Sequence, residues 1–392
     1  MSTDSTEAPE AGGRGRSRRL RNLAIPALIA VLIGAAGGGA FYYFYELRRP
    51  SFHHSNPSAA RRVAATHVLI AIENAESSAV AMIGRTGGGG KLLTVSPNVI
   101  VEVPGVGPRS VNLSVRQAGA EATAVALANA LRVTVPAALA ANAVTVAGTI
   151  NALGGVNVAI PNALRTSSGG FTHKAFDAGP AQMTGDSFVR YMTGSFVDET
   201  EAERDTRQQA GWRALLLAST KPEAGQAFAS WTTDVQPGAA LALLRACAAS
   251  PLPLTLPVTP AALAGEHLVR IDEGAIADVR RSLVDFTNGA ENPDGRRVRL
   301  VIRASGAVGS IVGRILVNAG YVIEMSGRTT TPASVTRVAV APTVADAEAT
   351  GKDIATLLGM GLVKVSTETS ADTDIILTIG MDWAEANGFA QR

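Results

Sequence analysis

Val144-Thr-Val-Ala-Gly-Thr-Ile-Asn-Ala-Leu-Gly-Gly-Val-Asn-Val-Ala-Ile160 sets a helix, a stop and a strand in succession. Val144 to Asn151 is predicted as a helix. Gly154-Gly155 ends it, because glycine takes the left-handed backbone that closes a helix at little cost. Val156 to Ile160 then carries the β-branched alternation of a strand. The same interleaving extends outward on both sides. Val68-Leu-Ile-Ala-Ile72, Leu92-Leu-Thr-Val95 and Val99-Ile-Val-Glu-Val103 are short apolar runs that read as strands, and Ala118 to Leu131 is an Ala/Leu-rich helix. Thr184 to Met192 reads as a helix. So does Glu199 to Ser219, with its charges clustered early and Trp212, Leu215 and Leu216 on one buried face. Strands alternating with helices predict an α/β core.

Gly84 to Lys91 reads as a turn, with Gly87 to Gly90 in a row. A glycine run before lysine suggests a phosphate cradle, but that motif needs Ser or Thr after Gly-Lys and then a helix. Here Gly90-Lys91 runs into Leu92-Leu93 and a strand, so a hairpin is the better reading. Residues 288–296 form a Gly/Asn/Pro-rich linker. Beyond it, residues 297–385 read as a small α/β unit. Its strands are Val298 to Ile302, Tyr321 to Met325, Arg337 to Val340 and Ile375 to Ile379. A glycine turn at Ser305 to Gly309 precedes a helix at Ser310 to Ala319, and a second helix spans Ala345 to Leu358.

The amino-terminal end sets the expected compartment. Residues 1–22 are small and polar and carry Arg14, Arg16, Arg18, Arg19 and Arg21. Residues 23–45 form an uncharged stretch ending in Phe41-Tyr-Tyr-Phe-Tyr45. At ~1.5 Å per residue it reaches about 34 Å, enough to cross a ~30 Å hydrocarbon core and set an aromatic belt at its exit. The stretch is longer than the apolar region of a cleaved leader. It predicts a retained single-pass signal-anchor, with the arginine-rich tail cytoplasmic and the body outside. Residues 46–62, with His53 and His54, read as a solvated stalk. Residues 63–287 then form the larger domain, and residues 386–392 a short tail.

Composition narrows the function. The 392 residues are 46% hydrophobic and 17% charged, with a net charge of +2. The low charge excludes disorder for most of the chain. The small surplus argues against nucleic acid as a partner. A single cysteine, Cys247, excludes an intrachain disulfide framework and a Cys-based zinc site, and reads as a core residue.

Several segments, in order, carry a resemblance. Arg204-Asp-Thr-Arg-Gln-Gln209 is similar to an R-x-x-R-Q-Q helix, Ala152-Leu-Gly-Gly-Val156 with Ile160-Pro161 to an L-G-G-V strand start, and Gly185 to Tyr191 to a G-E-x-A-L-x-Y stretch. Val103-Pro-Gly105 followed by Val111-Asn112 is similar to a P-G turn and K-I-N-A segment. In this layout the chain resembles the LytR-CpsA-Psr family of bacterial envelope proteins. Ser305 to Gly309, Ala319-Gly-Tyr321 and Ile379-Gly-Met-Asp382 resemble the LytR-type C-terminal domain that some members carry. The resemblance implies an extracytoplasmic α/β domain with a central mixed sheet. It also implies a role in cell-envelope assembly, with polyprenyl-linked glycan, peptidoglycan and membrane as partners. Active members transfer glycopolymer from a polyprenyl pyrophosphate, using arginines and a carboxylate-held Mg²⁺.

The departures from the family pattern are specific. Where the family reads G-S-D-x-R, this chain reads Ala71-Ile72-Glu73-Asn74-Ala75, and Thr66 to Gly84 contains no Arg and no Asp. Pro97-Asn98-Val99 replaces P-R-D, and the arginine expected two residues after Tyr191 is absent. The resemblance leaves Arg204, Arg207, Gln208, Asn112 and Glu73 as phosphate- or ligand-binding candidates. It assigns no confident catalytic residue and no metal ligand, and implies Mg²⁺ only if the family chemistry survives. Arg109 and Arg116 flank Asn112 as replacement cations. Ser310 and Arg314 are an anion-binding alternative to packing glycines. Arg204 and Arg207 lie at i, i+3 on one helical face, and Glu201 or Glu203 within reach of Arg204 gives a surface ion pair as the competing reading. Three readings follow: a non-catalytic member that binds polyprenyl-linked or glycan ligands, an enzyme with a reduced site, and a scaffold acting through its C-terminal unit.

Overall fold

The computed structural model describes residues 66–389 except 76, 87–88, 234–236, 262–266, 287–297, 305, 329–332, 345, 361–363 and 367–372. The predicted tail 1–22, membrane span 23–45, stalk 46–62 and linker 288–296 lie outside the described residues. Among the described residues no helix is long and apolar enough to cross a membrane. All described residues fall in one compact unit.

In chain order the first part runs β1 (His67–Glu73), β2 (Ala79–Thr86), β3 (Gly89–Val95), the hairpin β4 (Ile100–Val103) and β5 (Gly107–Ser110), helix α1 (Val111–Leu131), β6 (Ala137–Asn142), α2 (Ala143–Ala152) and β7 (Val156–Ile160). The hairpin β8 (Leu164–Ser168) and β9 (Phe171–Phe176) follows, then β10 (Gly179–Met183), α3 (Gly185–Thr193), α4 (Glu201–Ala218), the single turn α5 (Ala224–Ala227), β11 (Thr232–Thr233), α6 (Pro237–Cys247) and β12 (Pro251–Thr255). A small pair, β13 (Val258–Pro260) and β14 (Val269–Ile271), and helix α7 (Ala277–Ser282) complete it.

Six strands form a mixed sheet in the order β11-β6-β1-β2-β3-β12. β1 is central and buried from His67 to Ile72, which is why its sequence is a continuous apolar run rather than an alternation. Leu69, Ala71, Val80, Met82 and Val95 turn toward α1 on one face. Val68, Ile70, Ile72, Ile83 and Leu92 turn toward α2, α3, α4 and α6 on the other. Parallel β1/β6 and β3/β12, with β2 antiparallel between β1 and β3, put the carboxyl ends of β1, β3, β6 and β12 on one edge. That edge carries Glu73, Ser96, Asn142 and Thr255.

Several predicted boundaries move. The turn expected over Gly84–Lys91 is narrower, since β2 runs to Thr86 and β3 starts at Gly89, with pairing continuing to Thr86↔Gly89. The helix expected from Ala118 starts at Val111, where Ser110 Oγ accepts from the Leu113 amide at 3.3 Å. Gly119, at φ 87°, breaks that helix in two, so the sequence pattern showed only the second segment. Within the glycine turn expected at Ser305–Gly309, Gly306 to Gly309 form the first turn of a helix instead.

That helix belongs to a second mixed sheet in the order β16-β15-β19-β17-β18. Its elements are β15 (Arg299–Ala304), α8 (Gly306–Asn318), β16 (Val322–Arg328), β17 (Arg337–Val340), α9 (Ala347–Leu357), β18 (Lys364–Ser366), β19 (Ile375–Thr378) and α10 (Met381–Ala386). Its apolar residues join those of α1 in one continuous core. A Cβ on Gly309 would meet Gly105 Cα at 2.4 Å, and one on Gly313 would meet Pro104 Cβ at 2.6 Å. These glycines let α8 lie against the Pro104-Gly105 turn, as the packing alternative expects. Ser310 sits one turn inside α8 and donates to the Pro104 carbonyl at 3.1 Å, so it offers no anion site at a helix start. The open edge of β16 is covered by side chains. Asn129 exchanges two hydrogen bonds with Ile323 at 2.7 and 2.8 Å, and Glu102 accepts from the Ser326 amide and hydroxyl at 2.6 and 2.9 Å. Covering an edge in this way blocks pairing with another chain.

Candidate functional site

All five candidate residues come to the carboxyl-end edge of the first sheet, on three different supports. Glu73 ends β1 and stands opposite Asn142 in the β1/β6 register. Asn112 lies in the first turn of α1, its amide donating to the Pro97 carbonyl just beyond β3 at 2.9 Å. Arg204, Arg207 and Gln208 lie on α4.

The start of α4 is fixed by a capping box. The Glu203 amide donates to Thr200 Oγ1 at 3.2 Å, and the Thr200 amide donates to Glu203 Oε2 at 2.9 Å. These bonds hold the Glu203 carboxyl below its ordinary range. Glu201 then accepts from Ser96 Oγ at 2.8 Å, from Asn98 Nδ2 at 2.9 Å and from Arg204 Nη1 at 3.0 Å. Helix α4 is thereby tied to the loop after β3. Arg204 also lies 3.6 Å from Glu199. Its ion pair with Glu201 is the surface reading of the sequence; both partners keep partial solvent exposure.

Arg207 is placed differently. Its side chain is 1% exposed, and that of Glu199 is 2% exposed. Nε and Nη2 donate to the two Glu199 oxygens at 2.5 and 2.8 Å. Nη1 donates to the Tyr191 carbonyl and, at 3.4 Å, to that of Met192, while Nη2 also reaches Gly194 O at 3.2 Å. A guanidinium has five N–H bonds, and all five have acceptors here. The charge sits 4.8 Å from the Phe196 ring centre. Gln208, 2% exposed, donates to Met192 O at 3.1 Å. Arg207 and Gln208 thus close the open carboxyl end of α3 onto α4, satisfying carbonyls that a helix end leaves unpaired. Asp198, at φ 61°, turns the chain into Glu199.

Asp205 is a neighbour that the sequence reading did not single out. It accepts from Thr255 Oγ1 at 3.1 Å and Gln209 Nε2 at 2.9 Å, and burial pushes its carboxyl up to about 6. Glu199 and Asp205 were missed, whereas Glu201 was foreseen only as a surface partner of Arg204. The Thr200-x-x-Glu203 signature was a usable signal: it fixes the first turn and puts Glu199 just ahead of it. Arg109 donates back to the Pro108 carbonyl at 2.7 Å, and Arg116 is exposed on α1. Cys247 is fully buried, and burial pushes its thiol up to about 11.

Three carboxylates around the start of α4 already accept hydrogen bonds from protein donors. Glu199 is held by Arg207, Glu201 by Ser96, Asn98 and Arg204, and Asp205 by Thr255 and Gln209. Among the described residues no three His, Cys, Asp or Glu side chains group as a metal site.

Beside this corner lies a cavity of about 340 Å³. It is lined by Asn74 after β1, the start of α2, Thr166 of β8, and α3 with the segment Gly194 to Phe196. Asn74 Nδ2 donates to Thr193 Oγ1 at 2.8 Å, and Thr193 donates to the Val189 carbonyl at 2.9 Å. Thr193 holds the position where the family pattern expects an arginine.

No protein-family model matches the chain. No curated protein matches it. Among solved structures it is similar to Bacillus subtilis TagV, with 16% identity over 56% of this chain and 97% of that one, at a TM-score of 0.45. It is also similar to the LytR-CPS2A-psr family protein YwtF (TagT) with bound octaprenyl pyrophosphate lipid, with 17% identity, 57% and 90% coverage and a TM-score of 0.44. A third, TagT bound to LI-WTA, shows 16% identity, 57% and 90% coverage and a TM-score of 0.46. Likeness at this level assigns no role to any residue of this chain.

Proposed function

We propose that this protein is a membrane-anchored, extracytoplasmic accessory of cell-envelope assembly. On this reading it keeps the LytR-CpsA-Psr architecture, binds a polyprenyl-linked or glycan ligand, and does not carry out phosphotransfer. The observation that carries the reading is the state of Arg207. It is the clearest cation of the motif match, and its five N–H bonds all go to Glu199 and to carbonyls of its own chain. Transfer from a pyrophosphate needs preorganised cations aimed at the developing charge, and losing one costs ~3–4 kcal/mol of transition-state stabilisation. Thr66 to Gly84 supplies no Arg or Asp to replace it. The uncharged run 23–45 and the arginines before it support the anchor and its orientation. Residues 297–385 take the part of the LytR-type C-terminal domain, bound into the core through α1.

The test uses the full-length protein in detergent, incubated with Mg²⁺ and a glycan on polyprenyl pyrophosphate. The expected result is no transfer and no pyrophosphate cleavage, with polyprenyl-linked lipid found by mass spectrometry in the purified protein. Turnover that Arg204→Ala abolishes would overturn the non-catalytic reading and restore the reduced-site enzyme.

A further inference from the structure

The cavity beside α3 offers chemistry that its position in the family pattern does not lead one to expect. Asp186 and Arg190 stand one turn apart on the same face of α3, and both line it. They form no ion pair with each other. Among the described residues neither side chain has a hydrogen-bond or ion-pair partner, and the Arg190 charge lies 6.0 Å from the Phe176 ring centre. Thr166 and Ser195 add two hydroxyls to the lining. Asn74 fixes its oxygen on the Ala75 amide at 2.8 Å and keeps one amide hydrogen beyond its bond to Thr193. The apolar lining comes from Ala143, Val144, Val189 and Phe196, of which Val144, at the start of α2, is 82% exposed.

We propose that this cavity binds a neutral sugar unit of a glycan rather than a pyrophosphate; the proposal rests on the ligand-binding reading above. The charge balance decides the class. Arg190 and Asp186 cancel, so a doubly charged phosphate would gain one cation and face one carboxylate, a like-charge contact that is costly in a partly desolvated site. A sugar hydroxyl both donates and accepts. Asp186 can only accept and Arg190 can only donate, while Thr166 and Ser195 do either. Adjacent ring hydroxyls therefore match this lining in both directions, and the C–H face of the ring finds the exposed Val144. The position expected to carry an arginine carries Thr193, whose hydroxyl is already engaged. A volume of about 340 Å³ is at the small end of ligand sites, the scale of a sugar unit and not of a polyprenyl chain.

The test titrates full-length protein in detergent with chitobiose, lactose and maltose, and separately with inorganic pyrophosphate, by calorimetry and saturation-transfer NMR. At least one sugar is expected to bind. Its affinity should fall about tenfold or more in Asp186→Asn and Arg190→Met, the scale of one hydrogen bond to a charged group. Val144→Trp should block it by filling the mouth. Lys352→Ala, which alters an exposed pair on α9, should leave it unchanged. Thermal midpoints within a few degrees of the parent establish that the variants fold. Pyrophosphate binding that depends on Arg190, without sugar binding, overturns the proposal. So does an absence of sugar binding in protein that carries polyprenyl-linked lipid, an outcome that leaves the envelope reading standing. Absence of both ligands overturns both.

Discussion

Two arginines on neighbouring helices, Arg207 of α4 and Arg190 of α3, show how differently one cation can be used. Arg207 is sealed from solvent, with a bidentate partner in Glu199, carbonyls from the end of α3 and an aromatic ring beneath it. Arg190 is exposed on the outer face of α3 and lies only against Phe176. The first charge is committed to holding two helices together, so it cannot follow a ligand. The second has its donors open to one. Motif resemblance points to Arg207 and geometry points to Arg190, because a motif records residue type and spacing but not what the side chain already holds.

The sharpest way to break this contrast is to remove the sealed cation. Arg207→Ala leaves the buried Glu199 carboxylate with only Arg204, at 3.6 Å, and takes the side-chain donor from the Tyr191 and Gly194 carbonyls, while Met192 O keeps Gln208. Breaking a buried pair by deleting one partner costs ~3–5 kcal/mol, so the denaturant midpoint should fall steeply. Arg207→Lys should recover little, since an ammonium cannot supply the fork that spans both carboxylate oxygens. A loss below about 1 kcal/mol in Arg207→Ala would mean that the knot is not structural and that Arg207 is available to a ligand after all.

Asp205 gives the next effect, and its sign can be worked out. Its folded pKa of about 6 lies above the ~3.9 of an unfolded aspartate. Between those values the folded state holds a proton that the unfolded state has released, so stability falls as pH rises from about 4 to about 6. Asp205→Asn should flatten that slope and raise the melting temperature at pH 7, the amide keeping an acceptor for Thr255 and Gln209. A melting temperature that still drops across the same window in the variant would assign the titration to another group.

What the sequence disclosed follows the same division. Strands buried on both faces, such as β1, announce themselves as apolar runs, and the glycine pair after α2 marks its stop because both residues take positive φ, 71° and 87°. β6 did not: Ala137-Ala-Leu-Ala-Ala-Asn142 has poor strand propensity and is extended because β1 and β11 pair with it. The start of α1 was hidden by Gly119, and the start of α8 by glycines that serve the approach of Pro104-Gly105 rather than a turn. The candidate residues gather at one sheet edge, since the motif order carries topology. Their roles were not legible, since Glu199 and the carbonyls of α3 that consume Arg207 come together only through tertiary packing.

A smaller test concerns Tyr191, packed between the two arginines' surroundings. Its ring is fully buried against Phe176 and Arg207, yet among the described residues its hydroxyl has no hydrogen-bond partner. Burial accordingly pushes the phenol up. A buried polar group without a partner is a cost to the fold. Tyr191→Phe should keep the aromatic contacts and leave stability unchanged or slightly raised, within about 0.5 kcal/mol, where a bonded tyrosine would lose ~1 kcal/mol or more. A clear loss in chemical denaturation would show that the hydroxyl holds a water or ligand that stabilises the corner.

The smallest expected change is the most informative about the comparison. Arg190→Met keeps a long apolar stem over Phe176 and removes only a charge that holds no protein acceptor, so the stability cost should stay within about 0.5 kcal/mol. Set beside Arg207→Ala, it separates the two uses of an arginine by several kcal/mol on adjoining helices. The double variant should lose no more than the sum of the two, because the Arg207 acceptors come from the end of α3 and from Glu199, and none of them is held by Arg190. An excess beyond about 0.5 kcal/mol would show that the sealed knot and the open cavity form one coupled unit, so that ligand binding at α3 would be felt by the α3–α4 junction.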